Sequence, residues 1–280
     1  MSGTASVLSC PVCNQVSALD GRHLGGYALM ACPGCGYRFF PKTEGVVADY
    51  DEVYQGEEYF NEQIRSLQES RDSADFINHP TYRRFFSRLQ PQEGPRLLDI
   101  GCGVGRFCQA AASVGWQVEG IDLSERAIAI AAAHHPFPVR VATVEALADQ
   151  SASYDVITAF EVLEHLDNPR AFLSQVALLL RDGGEFFCTV PNWDCQAVQS
   201  ATRPDWVPPV HVGFHTVSSL KTLAVRSGFA EADCGVIWTD PFPFHPMNGL
   251  RWLRRRLRGA ENAPLGLWLH ARKSGAGRQG

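Results

Sequence analysis

From residue 96 onward, short apolar runs alternate with stretches of helical periodicity. The runs predict strands near 97–100, 118–122, 138–142, 154–160 and 184–190, and the periodic stretches predict helices near 106–115, 125–134 and 169–181. The last of these helices is clearly punctuated. Asn168 stands as N-cap, Pro169 at the first helical position, and Asp182, Gly183 and Gly184 mark its end. A further helix is predicted near 217–227, ended by Gly228, and two late strands near 229–238 and 265–272 are expected to close the sheet. Alternation of this kind predicts an α/β fold with a parallel sheet wound on both faces. Ligands of such sheets lie beyond the carboxyl ends of the strands, which puts Asp99, Asp122, Glu145 and Phe160 along one rim.

The first strand runs into LLDIGCGVGRF at 97–107. Asp99 closes the apolar run, the backbone turns through Gly101, Cys102, Gly103 and Gly105, and a helix opens at Arg106. Glycines suit a backbone that turns sharply and approaches a ligand closely. Asp122 ends the second run about 20 residues on, where an acid accepts the hydroxyls of a ribose. The spacing is G-x-G-x-G, whereas dinucleotide folds use G-x-G-x-x-G to seat a pyrophosphate on an open helix N-terminus. Asp99 repels a pyrophosphate and suits a cation. S-adenosylmethionine carries a sulfonium and an ammonium and no phosphate, so it is the expected cofactor, and nicotinamide-dependent redox chemistry is disfavoured.

Cys10-Pro-Val-Cys13 and Cys32-Pro-Gly-Cys35 stand 18 residues apart, which fits the two-knuckle zinc template. Four thiolates close a tetrahedral shell, so a structural zinc on Cys10, Cys13, Cys32 and Cys35 is expected, with His23 between the pairs as a surface residue. The expected organisation is a zinc ribbon over 1–42, a helical connector or lid over 43–90, and the α/β domain over 91–280. The connector carries Tyr50, Tyr54, Tyr59 and Phe60, and then Phe85, Phe86 and Leu89 at helical spacing. These aromatics either pack on the main domain or cover the cofactor. Nine cysteines, an N-terminus without an apolar segment, and no long apolar run point to a reducing cytoplasm. The net charge of −5 argues against a protein that coats nucleic acid. One basic amphipathic stretch, LRWLRRRLR at 250–258, is either an exposed surface helix or a contact for anionic lipid or a partner.

From Arg96 to Phe229 the chain resembles a class I S-adenosylmethionine-dependent methyltransferase, with its Rossmann-like doubly wound sheet. It is similar to the subgroup that includes the ubiquinone-biosynthesis O-methyltransferases. The resemblance rests on LLDIGCGVGRF at 97–107, GIDLS at 120–124, TVEALA at 143–148, YDVITAFEVLEHLDNP at 154–169, LLLRDGGEFFCTVPN at 178–192 and HVGFHTVSSLKTLAVRSGF at 211–229. The cysteine-rich front end is similar to methyltransferases found with surface-glycan and natural-product pathways. The resemblance implies that Asp99, Gly101, Cys102, Gly103 and Gly105 line the methionine moiety and that Asp122 holds the ribose. It places Leu123 beside the adenine, Glu145 at the adenine edge, and Phe160 and Glu161 near the methyl group. Tyr82 and Arg83 are assigned by position alone to the methionine carboxylate end.

Methyl transfer to a hydroxyl requires alignment and removal of a proton. Histidine suits the proton transfer, and His165, His211 and His215 follow the fourth and fifth strands. His165 is the first choice of base and His211 the second. A helical turn would place Glu161 and His165 on one face and point Glu164 elsewhere. Trp193, Trp206 and Phe214 either wall a ring-shaped acceptor or pack the domain. The Asp, Asp and Asn set of metal-dependent catechol methyltransferases is not recognisable, so no catalytic metal is expected. The favoured reading is O-methylation of a small or carrier-linked hydroxylated metabolite or sugar. The alternatives are a zinc-ribbon ribosomal RNA methyltransferase and a non-catalytic adaptor. The sequence carries no signal for oligomeric state.

Overall fold

The computed structural model describes residues 8–41, 73–92, 94–200, 206–237 and 264–275. The basic stretch at 250–258 and the aromatic residues Tyr50, Tyr54, Tyr59 and Phe60 lie outside them. Among the described residues, no helix is long and apolar enough to cross a membrane.

Among the described residues, the central sheet has seven strands: β5 (Arg96–Ile100), β6 (Gln117–Asp122), β7 (Val139–Val141), β8 (Tyr154–Phe160), β9 (Leu180–Pro191), β11 (Phe229–Ile237) and β12 (Gly266–Lys273). Their order is β11-β12-β9-β8-β5-β6-β7. The pairs among β5 to β9 are parallel, and β12 runs antiparallel to both of its neighbours. Leu97, Leu98, Ile157, Phe186, Phe187 and Leu269 are fully buried, as strands covered on both faces require. Chain order reverses between β5 and β8, and the crevice beyond the strand ends opens at that switch point.

The helices Arg106–Ser113, Glu125–His134 and Val217–Arg226 fall where the periodicity places them. Asn168 caps the helix Pro169–Leu179 by accepting the Ala171 N–H at 3.0 Å. The expected stop at Asp182 to Gly184 does not end that helix. The backbone turns extended at Leu180 and enters β9 directly. Leu180 pairs with Tyr154 and Glu185 with Val156, so the residues between them form an irregularity in the strand, with Gly183 at φ 72°.

Four short strands, β1 (Leu8–Ser9), β2 (Val16–Leu24), β3 (Tyr27–Ala31) and β4 (Arg38–Phe39), form an antiparallel sheet around the cysteine pairs. This sheet takes a fifth strand from far along the chain. β10 (Gly213–Phe214) pairs antiparallel with β4, Gly213 opposite Phe39 and Phe214 opposite Arg38. Residues 8–41 are therefore joined to the segment that leads into the helix Val217–Arg226.

Candidate functional site

A cleft of about 1230 Å³ opens at the strand ends. That is more than one small ligand fills, so the cleft has room for a cofactor and an acceptor together. Its floor is the glycine loop. At Gly101, φ is +75° and a Cβ would meet Val162 Cγ2 at 2.6 Å, so a larger residue is excluded both by conformation and by space. Gly103, at φ +53°, differs: a Cβ there would meet no protein atom within 4 Å, which leaves that face of the loop open to a ligand. Gly105 stands before the helix Arg106–Ser113. The Cys102 side chain is turned inward against Gly120, so this residue offers the cleft little beyond its backbone.

Asp122 organises the loop. Its Oδ2 accepts the Gly103 N–H at 2.8 Å and its Oδ1 accepts the Ser124 N–H at 2.9 Å. Each oxygen keeps a lone pair for a ligand hydroxyl. Asp99 is 2% exposed; Thr158 Oγ1 donates to it at 2.7 Å and Cys108 Sγ at 3.5 Å. Burial pushes its carboxyl up to about 7, against the lowering effect of those two donors and with a small further rise from Asp122. Leu123, Glu145 and Phe160 line the cleft as expected. Tyr82 also lines it, its ring 4.8 Å from Phe160, but Arg83 is not among the lining residues. The positive side chain in that wall is Arg106, which lies 4.6 Å over the Phe76 ring, with His79 beside it. Sequence reasoning missed Phe76, His79 and Arg106. Arg83 and Arg106 are both basic residues at a helix start, and only the packing of the helix Ser73–Asn78 on the helix Arg106–Ser113 separates them.

At the other end of the cleft lie Glu161, Glu164, His165, Trp206 and His211. Glu161 has φ 54°, a left-handed conformation, so the helical turn expected from Glu161 to His165 does not form. A 3-10 turn over Leu163–His165 follows instead and brings Glu164 inward, contrary to expectation. Ligand atoms of Glu164, His165 and His211 all lie within 4.8 Å of one another. His165 Nδ1 donates to the Val210 carbonyl at 2.9 Å, which directs Nε2 toward Glu164, 4.0 Å from Oε1. The His165 and His211 rings are 4.8 Å apart. Burial lowers the pKa of His165, keeping it neutral at pH 7. Glu164 is 1% exposed, and neither of its oxygens has a hydrogen-bond partner. Burial, reinforced by the Glu161 charge, drives its pKa well above the ordinary range. Glu161 is surrounded by protein but open to the cleft; loss of bulk solvent raises its pKa, while a 2.8 Å hydrogen bond from Thr189 lowers it.

His215 takes no part in the cleft. It is fully buried, its ring is 4.6 Å from Tyr37, and burial pulls its pKa down to about 3. Trp193 and Phe214 are also buried, 5.4 Å from each other, leaving Trp206 as the one member of that aromatic set that lines the cleft among the described residues. In the N-terminal sheet, the four thiols Cys10, Cys13, Cys32 and Cys35 are buried with their sulfurs mutually within 4.8 Å. Cys10 and Cys35 are 3.7 Å apart and share a hydrogen bond that draws the Cys10 thiol down to about 5 and pushes Cys35 far up. His23 is exposed and stands apart from them.

Comparison with known proteins bears on this geometry. A family profile described as a methyltransferase domain matches residues 67–231, more than half of the chain. The ubiquinone biosynthesis O-methyltransferase of Idiomarina loihiensis is 37% identical over 168 residues, 56% of this chain and 68% of that protein. The enzyme of the same name from Sinorhizobium medicae is 40% identical over 117 residues, 40% of this chain and 47% of that protein. The chain thus spans between about half and two thirds of the length of these curated relatives. A solved S-adenosylmethionine-dependent methyltransferase from Mesorhizobium loti superposes with a TM-score of 0.55 at 23% identity, covering 70% of this chain and 99% of that one, a likeness of fold. A cleft floored by this glycine loop and flanked by Asp99 and Asp122, on this strand order and within this matched span, places the chain in the class I S-adenosylmethionine-dependent methyltransferases.

Proposed function

We propose that the protein O-methylates a small or carrier-linked hydroxylated acceptor, bound at the end of the cleft formed by Glu161, Glu164, His165 and His211. The observation that carries this reading is the convergence of a buried carboxylate and two imidazoles within 4.8 Å, in the same cleft as the cofactor loop. The names of the curated relatives point to a hydroxyl acceptor, and nothing in them supports the narrower expectation of a sugar or natural product.

S-adenosylmethionine supplies an already activated methyl group, so the protein must align the acceptor and manage its proton. Asp122 and the Gly103 face of the loop hold the nucleoside, and Asp99 faces the cationic end. His165, kept neutral by burial and oriented through Nδ1, presents Nε2 as a proton acceptor or a ligand. Glu164, buried without a hydrogen-bond partner, needs either a proton or a cation. The donor set of Glu164, His165 and His211 fits a divalent ion, and such an ion would favour the ionised form of a bound hydroxyl. The expectation of no catalytic metal rests on the missing Asp, Asp and Asn set and does not consider this one, in which Glu164 turns inward.

The test is a pair of variants with catechol as probe. Glu164→Gln should lower methyl transfer by about 10²–10⁴-fold while S-adenosylmethionine affinity, read by calorimetry, stays unchanged. Normal turnover in Glu164→Gln beside an inactive His165→Ala would leave a histidine base and remove the cation. Normal turnover in both would overturn the assignment of this end of the cleft.

The second part of the reading concerns Cys10, Cys13, Cys32 and Cys35. We propose that they hold one structural zinc ion, because four buried thiols at mutual contact make a closed donor shell with no open position.

A further inference from the structure

We propose that the cysteine ribbon is the positioning element for the acceptor end of the cleft: it holds residues 210–214 so that His211 stands opposite Glu164 and His165. The proposal rests on the acceptor-site reading above but is carried by separate contacts.

The segment 210–212 is clamped from two sides. On the cleft side, the Val210 carbonyl accepts from His165 Nδ1 at 2.9 Å, and the Val212 N–H donates to the Glu164 carbonyl at 2.8 Å. On the ribbon side, the Val212 carbonyl accepts the Phe40 N–H at 3.0 Å, and β10 continues this pairing onto β4. His211 lies between these anchors. One peptide unit on either side of Val212 therefore ties the backbone of the acceptor cluster to the backbone of the ribbon.

Side chains seal the same joint. Phe40 packs edge-on to Phe214 with centroids 6.1 Å apart, and Leu24, Leu29 and Phe40 share one apolar cluster with Trp193, Val207 and Phe214. Tyr37 presses against Gly213, where a Cβ would fall 1.8 Å from its hydroxyl. Thr216 Oγ1 donates to the Cys35 carbonyl at 3.5 Å, so the helix cap that ends the segment touches a cysteine knuckle directly. The strand that completes the cysteine-bearing sheet, β10, thus begins two residues beyond His211. At the cofactor end, the backbone of the glycine loop is braced from within the α/β domain, by β6 through Ile121 and Asp122.

Occupancy of the four cysteines should therefore govern the acceptor end and leave the cofactor end alone. The test compares the full chain with Phe40→Ala, which leaves the cysteine shell intact, and with the full chain stripped of zinc. Three quantities are read: hydrogen exchange in residues 207–216 against 97–107, Mn²⁺ binding by electron paramagnetic resonance, and S-adenosylmethionine affinity by calorimetry. Phe40→Ala should keep its zinc and accelerate exchange in 207–216 by about tenfold or more, the mark of a locally loosened unit. It should weaken Mn²⁺ by about 10²-fold, the scale at which small misplacements act, with cofactor affinity changed less than about twofold. Zinc removal should give the same pattern, larger. Unchanged exchange in 207–216 in both samples overturns the proposal. So does an equal loss at both ends of the cleft, which is the signature of general destabilisation. A wild-type chain that binds no Mn²⁺ counts against the cation reading of the acceptor site, and the exchange comparison then decides the positioning role by itself.

Discussion

Asp99 is the residue whose environment makes the sharpest demand on solution behaviour. Burial holds its carboxyl near 7 in the folded chain, against about 3.9 for an exposed aspartate. A raised acid keeps its proton in the native state over a range in which the unfolded chain has lost it. Its contribution to stability therefore falls as pH rises from about 4 to about 7 and is constant above that. A cationic ligand reverses the balance by favouring the carboxylate. S-adenosylmethionine should bind more tightly as pH rises through 7, and binding near pH 6.5 should release a proton to the solvent. Calorimetry in buffers of different ionisation enthalpy reads that proton, and Asp99→Asn should abolish both effects; a pH-independent affinity in the wild type would remove Asp99 from the cationic end. The positions of Asp99 and Asp122 were legible in the sequence because Asp99 leads into the glycine-rich turn and Asp122 ends the next apolar run about 20 residues on. Glu164 was not, because its direction depends on the left-handed backbone at Glu161, which no local rule assigns to glutamate.

At the level of elements, the strands and helices of the α/β domain follow directly from hydrophobic periodicity, and their bounds fall within a few residues of expectation. The departures have local causes. The helix Pro169–Leu179 stops short of its glycines because Leu180 is already needed opposite Tyr154 in the sheet. β10 is two residues long and exists only because β4 lies beside it, so no window of sequence could announce it. The helix Val217–Arg226 shows how such a junction is secured. Thr216 accepts the Ser219 N–H at 3.1 Å, and Ser219 Oγ accepts the Thr216 N–H at 2.8 Å, a reciprocal capping box. Thr216→Ala should cost about 1 kcal/mol, and up to about 2 because the hydroxyl also reaches the Cys35 carbonyl. Thr216→Ser should restore most of it. Urea denaturation measures both, and an alanine variant as stable as the wild type would mean that the cap bears no load.

For the whole molecule, the question is whether the ribbon and the α/β domain are two bodies or one. Their sequence signals are separate, and a division near residue 42 follows naturally from them. The packing runs across that division. Cys10, Val12, Met30, Tyr37 and Phe39 belong to one continuous buried cluster with Leu98, Ile157, Leu173 and Leu223, and Arg22 and Arg38 both stack on Trp193. A ribbon of this length has too little apolar area to hold itself together, so its stability must come from the domain it covers and from the zinc ion proposed for its four thiols. The domain in turn would expose Val207 and Phe214 without it. Each part should therefore unfold when the other does. Calorimetric melting of the full chain should show a single endotherm, and zinc removal should move that endotherm down as a whole, by about 2 °C for each kcal/mol of lost stabilisation in a domain of this size. S-adenosylmethionine, which binds only the folded cleft, should raise the same endotherm by mass action. Two resolved transitions, with only the lower one sensitive to zinc and only the upper one sensitive to the cofactor, would show instead that the ribbon melts on its own and that the shared cluster couples the two parts too weakly to matter.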